Sequence, residues 1–353
     1  IGPPPALYYK GTIITYTKTS SSAADRPTLD SVYWGDGSPR AVFVRIQKID
    51  LGNDISKNIY EGYHTYSGNG TFIFHFEDPN RNADVINIPN SVEVPFYVET
   101  ELIINPFQGQ PNSTPVLTYP PIDQGCLNRI FIHNPGAFDP DGDSLSYELT
   151  VCRGANGDPI PGYTFPTASN SFDINPVTGD LTWDSPILEG EYNVAFRIIE
   201  WRNGSMIGYV TRDMQILIGN CANHPPEFLP IADTCVVAGD TLNFDVTAYD
   251  PDGNSVILTA SGGPFVVANP ATFTPVQLNN DTVISHFSWP TTCANVRTQP
   301  YYAQFKAQDT DTTRLVNLKS VMIRVIGLPP VNAIAVANGN IVDLTWSPPG
   351  CIG

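Results

Sequence analysis

The 353-residue chain is poor in positive charge. Eighteen lysines and arginines stand against 35 aspartates and glutamates, a formal net charge of −17. A nucleic-acid binder needs a basic patch to meet phosphates, so that class is excluded. No apolar run is long enough to cross a bilayer as a helix, and long stretches of helical periodicity are missing. The opening residues, Ile1-Gly2-Pro3-Pro4-Pro5, contain neither an initiator methionine nor a signal peptide, and the expectation is a processed product or an excised fragment. Catalytic signatures are also lacking: no Gly-x-Ser-x-Gly, His-Glu-x-x-His or Walker A pattern occurs, and no EF-hand pattern. Glu191 with Glu200, or Asp180 with Asp184, are acidic pairs of the type used in glycoside hydrolysis. A chance pair is expected in so acidic a chain, and the reading is a protein that is not an enzyme.

What the chain has in quantity is turn residues. Its 33 prolines and 28 glycines are dispersed among runs of Val, Ile, Phe, Tyr and Thr, the pattern of turns between strands. One segment recurs: Ala137-Phe138-Asp139-Pro140-Asp141-Gly142-Asp143 returns as Ala248-Tyr249-Asp250-Pro251-Asp252-Gly253-Asn254, displaced by 111 residues. Leu181-Thr182-Trp183 recurs in order as Phe287-Ser288-Trp289. A repeat near one hundred residues implies an all-β chain of tandem Ig-like β-sandwich modules in an elongated arrangement. The expected modules are residues 1–108, 115–219 and 222–327, with a pattern change at 328 that opens a fourth, incomplete one over 328–353. Trp34, Trp183 and Trp289 read as core residues, and Asp36 as an acceptor for backbone amides in the Trp34-Gly35-Asp36-Gly37 turn.

Six cysteines, Cys126, Cys152, Cys221, Cys235, Cys293 and Cys351, show no paired Cys-x-x-Cys motif, and the five histidines are scattered. Disulfides outside the cytosol are favoured over zinc. Cys235 with Cys293 is the preferred pair, and Cys126 with Cys152 the next. Cys221 is then unassigned and Cys351 is separated from its natural partner.

The acidic repeat suggests a metal. Calcium takes six to eight oxygen ligands, and a proline-stiffened, glycine-permitted turn can present Asp139 with Asp141, or Asp250 with Asp252, to one ion. An ordinary turn, with the aspartates capping local amides, remains the alternative. Tyr8, Tyr9, Tyr301 and Tyr302 read equally as strand residues or as rings that stack on a sugar.

Several segments resemble known families. Trp34-Gly35-Asp36-Gly37, His64-Thr65-Tyr66 and Gly70-Thr71-Phe72 resemble the polycystic-kidney-disease-type (PKD) Ig-like module, whose motif is largely structural. The Ala-x-Asp-x-Asp turns, with Asn223-His224-Pro225-Pro226-Glu227, resemble cadherin-type modules. That resemblance implies calcium held between modules by Glu200, Asn223, Asp250 and Asp252, and by Asp139 and Asp141 at the earlier junction, with Glu77, Asp78 and Asn112 as further candidates there. Leu328 to Ala333 and Ile341 to Pro349 resemble the opening strands of a fibronectin type III domain. Phe138 to Tyr147, Asn175 to Trp183 and Glu200-Trp201-Arg202 resemble repeats of large Bacteroidota surface proteins, including gliding-motility-associated adhesins exported by the type 9 secretion system. The resemblance implies a secreted or outer-surface stalk that spaces or presents a binding domain, with a surface glycan or protein ligand and type 9 secretion components as partners. A glycan- or protein-binding module and an accessory region of a secreted enzyme are the alternatives.

Overall fold

Alternating runs of five to fifteen residues, closed by Gly, Pro and Asn, fold as strands because they offer one apolar face and no helical stripe. The computed structural model describes residues 7–52, 54–348 and 350. Among the described residues, helical structure is limited to 3-10 turns of three or four residues. The chain is all-β, with repeated sandwich-like sheets, and its contacts divide into two units, Ile1–Cys221 and Ala222–Gly353.

The first unit begins with β1 (Tyr8–Lys18), β2 (Thr28–Tyr33), β3 (Ala41–Asp50), β4 (Ile55–Thr65), β5 (Gly70–Asp78) and β6 (Phe96–Ile104), paired in the order β1-β4-β3-β2-β5-β6. Trp34 sits in their core, with Phe43 and Phe74 at ring separations of 5.5 and 5.0 Å and His64 stacked on it at 4.9 Å. Asp36 accepts from the Ser38 amide at 3.1 Å and meets His64 Nε2 at 2.7 Å, a fold-holding role. Gly11 faces Gly62 across β1 and β4, and the Phe43 ring lies where either Cβ would stand, 2.7 and 2.3 Å away.

The unit continues with β7 (Val116–Leu117), β8 (Ile122–Cys126), β9 (Phe131–His133), β10 (Ala137–Phe138), β11 (Ser144–Thr150), β12 (Phe172–Ile174), β13 (Leu181–Trp183), β14 (Gly190–Arg202) and β15 (Ser205–Gly219). The Asn203-Gly204 turn, with φ of 51° and 76°, closes the β14–β15 hairpin. The far edge of β15 then takes β6 antiparallel at Gly208–Val210 and β8 parallel at Gln215–Gly219. One sheet therefore runs from β1 through β6 and β15 to β11, across the boundary expected between modules 1–108 and 115–219. The seam is polar and buried. Arg81 donates to Asp213 at 2.7 and 3.2 Å and to the Arg153 carbonyl at 2.9 Å, with side chains 1% and 3% exposed for the pair. Glu99 accepts from Tyr97 at 3.0 Å, Tyr209 at 2.8 Å and Arg197 at 3.3 Å.

The second unit contains β16 (Glu227–Phe228), β17 (Thr234–Val237), β18 (Thr241–Tyr249), β19 (Val256–Gly262), β20 (Thr272–Gln277), β21 (Thr282–Pro290), β22 (Tyr301–Asp309) and β23 (Val316–Ile326). They form two four-stranded sheets, β16-β18-β21-β20 and β17-β23-β22-β19, around a single core. Leu242, Phe244 and Val246 all face that core, as the alternation of β18 requires. The two repeated tryptophans are matched in detail. Trp183 and Trp289 are both fully buried, each edge-on to a tyrosine at 4.8 Å (Tyr192, Tyr301), and each donates Nε1 to a carbonyl, Thr167 at 3.1 Å and Asn269 at 3.0 Å. β24 (Val331–Asn338) and β25 (Ile341–Ser347) form an antiparallel hairpin whose residues are nearly all exposed.

The disulfides correct the expected pairings. Cys126 is bonded to Cys221, not Cys152, because β8 runs parallel to the end of β15 and brings the two Cα atoms to 5.5 Å. Cys152 is free and fully buried beside Val85, Ile88, Ile160 and Ala195. Cys235 is free and exposed on β17, while Cys293 is disulfide-bonded, so the Cys235–Cys293 pair does not form. The expectation for Cys351 lies outside the described residues.

Two outcomes follow. Asp213→Ala strands the Arg81 guanidinium in the seam and destabilises the first unit by about 3–5 kcal/mol. The transition of the second unit is left in place, and calorimetry resolves the two. Among the described cysteines, alkylation of the native protein labels Cys235 alone, with Cys152 labelled only after denaturation; labelling of Cys126 or Cys221 without reductant contradicts the pairing.

Candidate metal centres

The recurrent acidic turn has one construction in both units. An aspartate at its head uses Oδ1 to accept two amides: Asp139 from Asp141 at 2.9 Å and Asp143 at 3.0 Å, Asp250 from Asp252 at 2.9 Å and Asn254 at 3.1 Å. Proline follows and offers no amide of its own. Glycine closes the turn at φ of +84° or +85°, a region that penalises any Cβ. A side chain two residues beyond the head then reaches back to the segment that precedes the first strand of the module. Asp141 accepts from the Ser113 amide at 2.6 Å, and Asp252 from the His224 amide at 2.5 Å.

Each head carboxylate is met by a second buried acid from the opposite strand. In the first unit it is Glu200 on β14, fully buried, whose Oε2 accepts from Asn112 Nδ2 at 2.8 Å. In the second it is Asp309 at the end of β22, 1% exposed, whose Oδ2 accepts from Asn223 Nδ2 at 2.7 Å. Burial, with the neighbouring Asp139 carboxylate adding to it, holds Glu200 well above the ordinary carboxylate range; burial also raises Asp139. Asp309 is pushed up to about 6 by burial, with Asp250 adding to the rise. Asp139 Oδ2, Glu200 Oε1 and Asp250 Oδ2 are buried and meet no hydrogen-bond donor.

The grouping differs from the one the sequence suggests. Glu200 belongs with Asn112 and Asp139, and Asn223 with Asp309, Thr313 and Asn254, so each set is drawn from its own unit. Beside the Asp250 turn the buried acid of the same unit is Asp309. Of the further candidates, Asn112 joins the first set, while Asp78 pairs with Arg26 and Glu77 accepts from the Asn156 amide at 3.2 Å. Asp309 was missed in the sequence although Ala307-Gln308-Asp309-Thr310-Asp311 repeats the Ala-x-Asp-x-Asp pattern.

The two sets also differ in charge. Asp139, Asp141 and Asp143 bring oxygens within 4.8 Å of one another. Arg202 lies against them, donating to Asp143 at 2.5 and 2.9 Å, to Asn112 Oδ1 at 3.0 Å and to the Gln110 carbonyl at 2.8 Å, and standing 3.8 Å from Asp141. In the second unit the residue two places after the buried acid is Asp311, not arginine, and Asn254 replaces Asp143. Asn254 Nδ2 donates to Asn223 Oδ1 at 3.1 Å, the role that Arg202 has toward Asn112. Among the described residues, the side-chain hydrogen bonds of Asp250, Asp309 and Asp311 involve no lysine or arginine, although the Arg314 amide donates to the Asp311 carbonyl at 3.1 Å.

The acidic pairs weighed for hydrolysis have no catalytic geometry. Glu191 and Glu200 lie on one strand nine residues apart, about 30 Å at strand rise, and Glu200 is fully buried. Asp180 accepts from Asn134 and Thr178, and Asp184 from Ser185, at opposite ends of β13. Of the four tyrosines, Tyr301 is in the core under Trp289, and Tyr8 alone is exposed, stacked with Tyr63 at 5.8 Å.

No protein-family model matches the chain, and no curated protein matches it. Among solved structures it is similar to the titin domains Z1Z2 in complex with telethonin, at 12% identity and a TM-score of 0.21 over 62% of this chain and 100% of that one. It is similar to the sialic acid binding region of a Streptococcus sanguinis SK1 adhesin, at 11% identity and a TM-score of 0.23 over 62% and 78%. It is similar to human CDH23 EC21–23, at 16% identity and a TM-score of 0.22 over 64% and 83%. Likeness this distant carries no argument about function.

Proposed function

We propose that the chain is a non-catalytic extracellular repeat region that spaces or presents a binding domain at a cell surface, and that calcium stiffens its acidic turns. The observation that carries the metal is the Asp250 carboxylate, 2% exposed, with one oxygen that no donor meets and a second buried acid, Asp309, beside it. An ionised carboxylate removed from water without a partner costs several kcal/mol, and a hard divalent cation offsets that cost. The oxygens of Asp250, Asp309, Asp311, Asp252 and Asn223 are of the kind calcium takes. The disulfides Cys126–Cys221 and at Cys293 support an oxidising, extracellular setting. The module division at 108–115, 219–222 and 328, the last opening a fibronectin type III-like module, belongs to this proposal. So do the outer surface of a Bacteroidota cell and export by the type 9 route, which rest on sequence resemblance.

A second reading is a glycan-binding module, favoured by the exposed, near-parallel Tyr8 and Tyr63 rings. Loss of glycan-array binding in Tyr63→Ala would support it.

Thermal unfolding in calcium chloride and in EGTA tests the first reading. At free calcium about 100-fold above its dissociation constant, the bound form gains about 2.7 kcal/mol, a rise of several degrees. Identical midpoints in both solutions overturn the calcium reading and leave the repeat architecture untouched.

A further inference from the structure

The two acidic turns share a backbone and a hydrogen-bond plan, yet they solve the problem of gathered carboxylates differently. We infer that Arg202 is a tethered counter-ion that takes the place of a metal in the first unit, so that divalent-cation binding is confined to the second. The inference rests on the calcium reading above and assigns it to one turn.

The geometry is specific. Arg202 leaves β14 two residues after Glu200 and lies across the mouth of the turn. Its guanidinium bonds Asp143 through both Nε and Nη2, reaches Asn112 Oδ1, and bonds the Gln110 carbonyl in the segment before β7. Its side chain is 9% exposed and that of Asp143 is 7% exposed, so this is a largely dry ion pair. Paired donors on one carboxylate make it a strong one. An ion entering between Asp141 and Asp143 would have to displace that fork and face its positive charge at close range.

In the second unit the same two positions are exchanged in sign: Asp311 for Arg202 and Asn254 for Asp143. The exchange keeps the bond to the asparagine of the preceding segment, Asn223, now made by Asn254, while it removes the cation and adds an acid. Asp250 Oδ2 is left buried without a donor. That orphaned oxygen is an independent sign that a ligand belongs here; Asp139 Oδ2 and Glu200 Oε1 are orphaned in the first turn as well, so what separates the two turns is the Arg202 fork on Asp143. The chemistry wanted is a small, hard divalent cation, taken by carboxylate and amide oxygens.

Calorimetric titration of the full chain with calcium chloride tests this. The expected result is one ion per chain, lost in Asp309→Asn and unchanged in Asp141→Asn. The double variant Arg202→Asp with Asp143→Asn copies the second turn into the first and is expected to bind two ions. The reverse exchange, Asp311→Arg with Asn254→Asp, is expected to bind none while unfolding cooperatively in EGTA at or above the wild-type midpoint. Two ions on the wild type, one of them lost in Asp141→Asn, overturn the inference and leave the calcium reading standing. No ion on the wild type overturns the calcium reading itself. Should the first double variant fail to fold, the reverse exchange decides: calcium binding retained there sinks the assignment.

Discussion

The structure depends on how carboxylates are buried. At the head of each acidic turn one aspartate oxygen caps two backbone amides, and this is what allows a strand to end and the next to begin after five or six residues. The second oxygen faces inward, toward another buried acid supplied by the opposite strand. Local chain geometry is thus secured by putting negative charge where water is excluded. Positive charge or a proton must answer it, and the two units answer differently. In the first, Arg202 bonds Asp143 beside the head pair, while Asp139 Oδ2 and Glu200 Oε1 meet no donor. In the second, among the described residues, the side-chain bonds of Asp250, Asp309 and Asp311 involve no lysine or arginine.

The same economy of charge governs the seam inside the first unit. Continuity of the sheet from β6 to β15 rests on three paired positions, Leu102 to Thr100 against Gly208 to Val210, a short ladder for joining two large bodies. Arg81–Asp213 and the Glu99 cluster lie beside it and fix its register, since each buried charge is satisfied only in that alignment. Gly208 is required there as well, because a Cβ would stand 2.5 Å from the Glu101 carbonyl.

Much of this was legible in the residues. The 111-residue recurrence marks the modules because a sandwich must reuse the same turn and the same core tryptophan at the same place, and Trp183 and Trp289 do so down to their tyrosine partners. The acidic turn was legible for the same reason. What sequence could not supply was partnership across the fold. Nothing in the spacing of Cys126 distinguishes Cys152 from Cys221; only the parallel strand β8 brings the latter near. The sequence singles out Glu200 but not its neighbours in the fold, Asn112 and Asp139, which are 88 and 61 residues away along the chain. Arg202 passed as part of a Glu-Trp-Arg motif, and Asp309 passed unnoticed, because a buried counter-charge has no signature in composition.

The most direct measurement is an anomalous difference map from a crystal of the full chain soaked in terbium, which takes calcium's oxygen ligands and scatters strongly. The account predicts one strong peak, at the Asp250–Asp309 turn, with Arg202 still seated on Asp143. A peak among Asp139, Asp141 and Asp143, with the Arg202 side chain displaced, would contradict it.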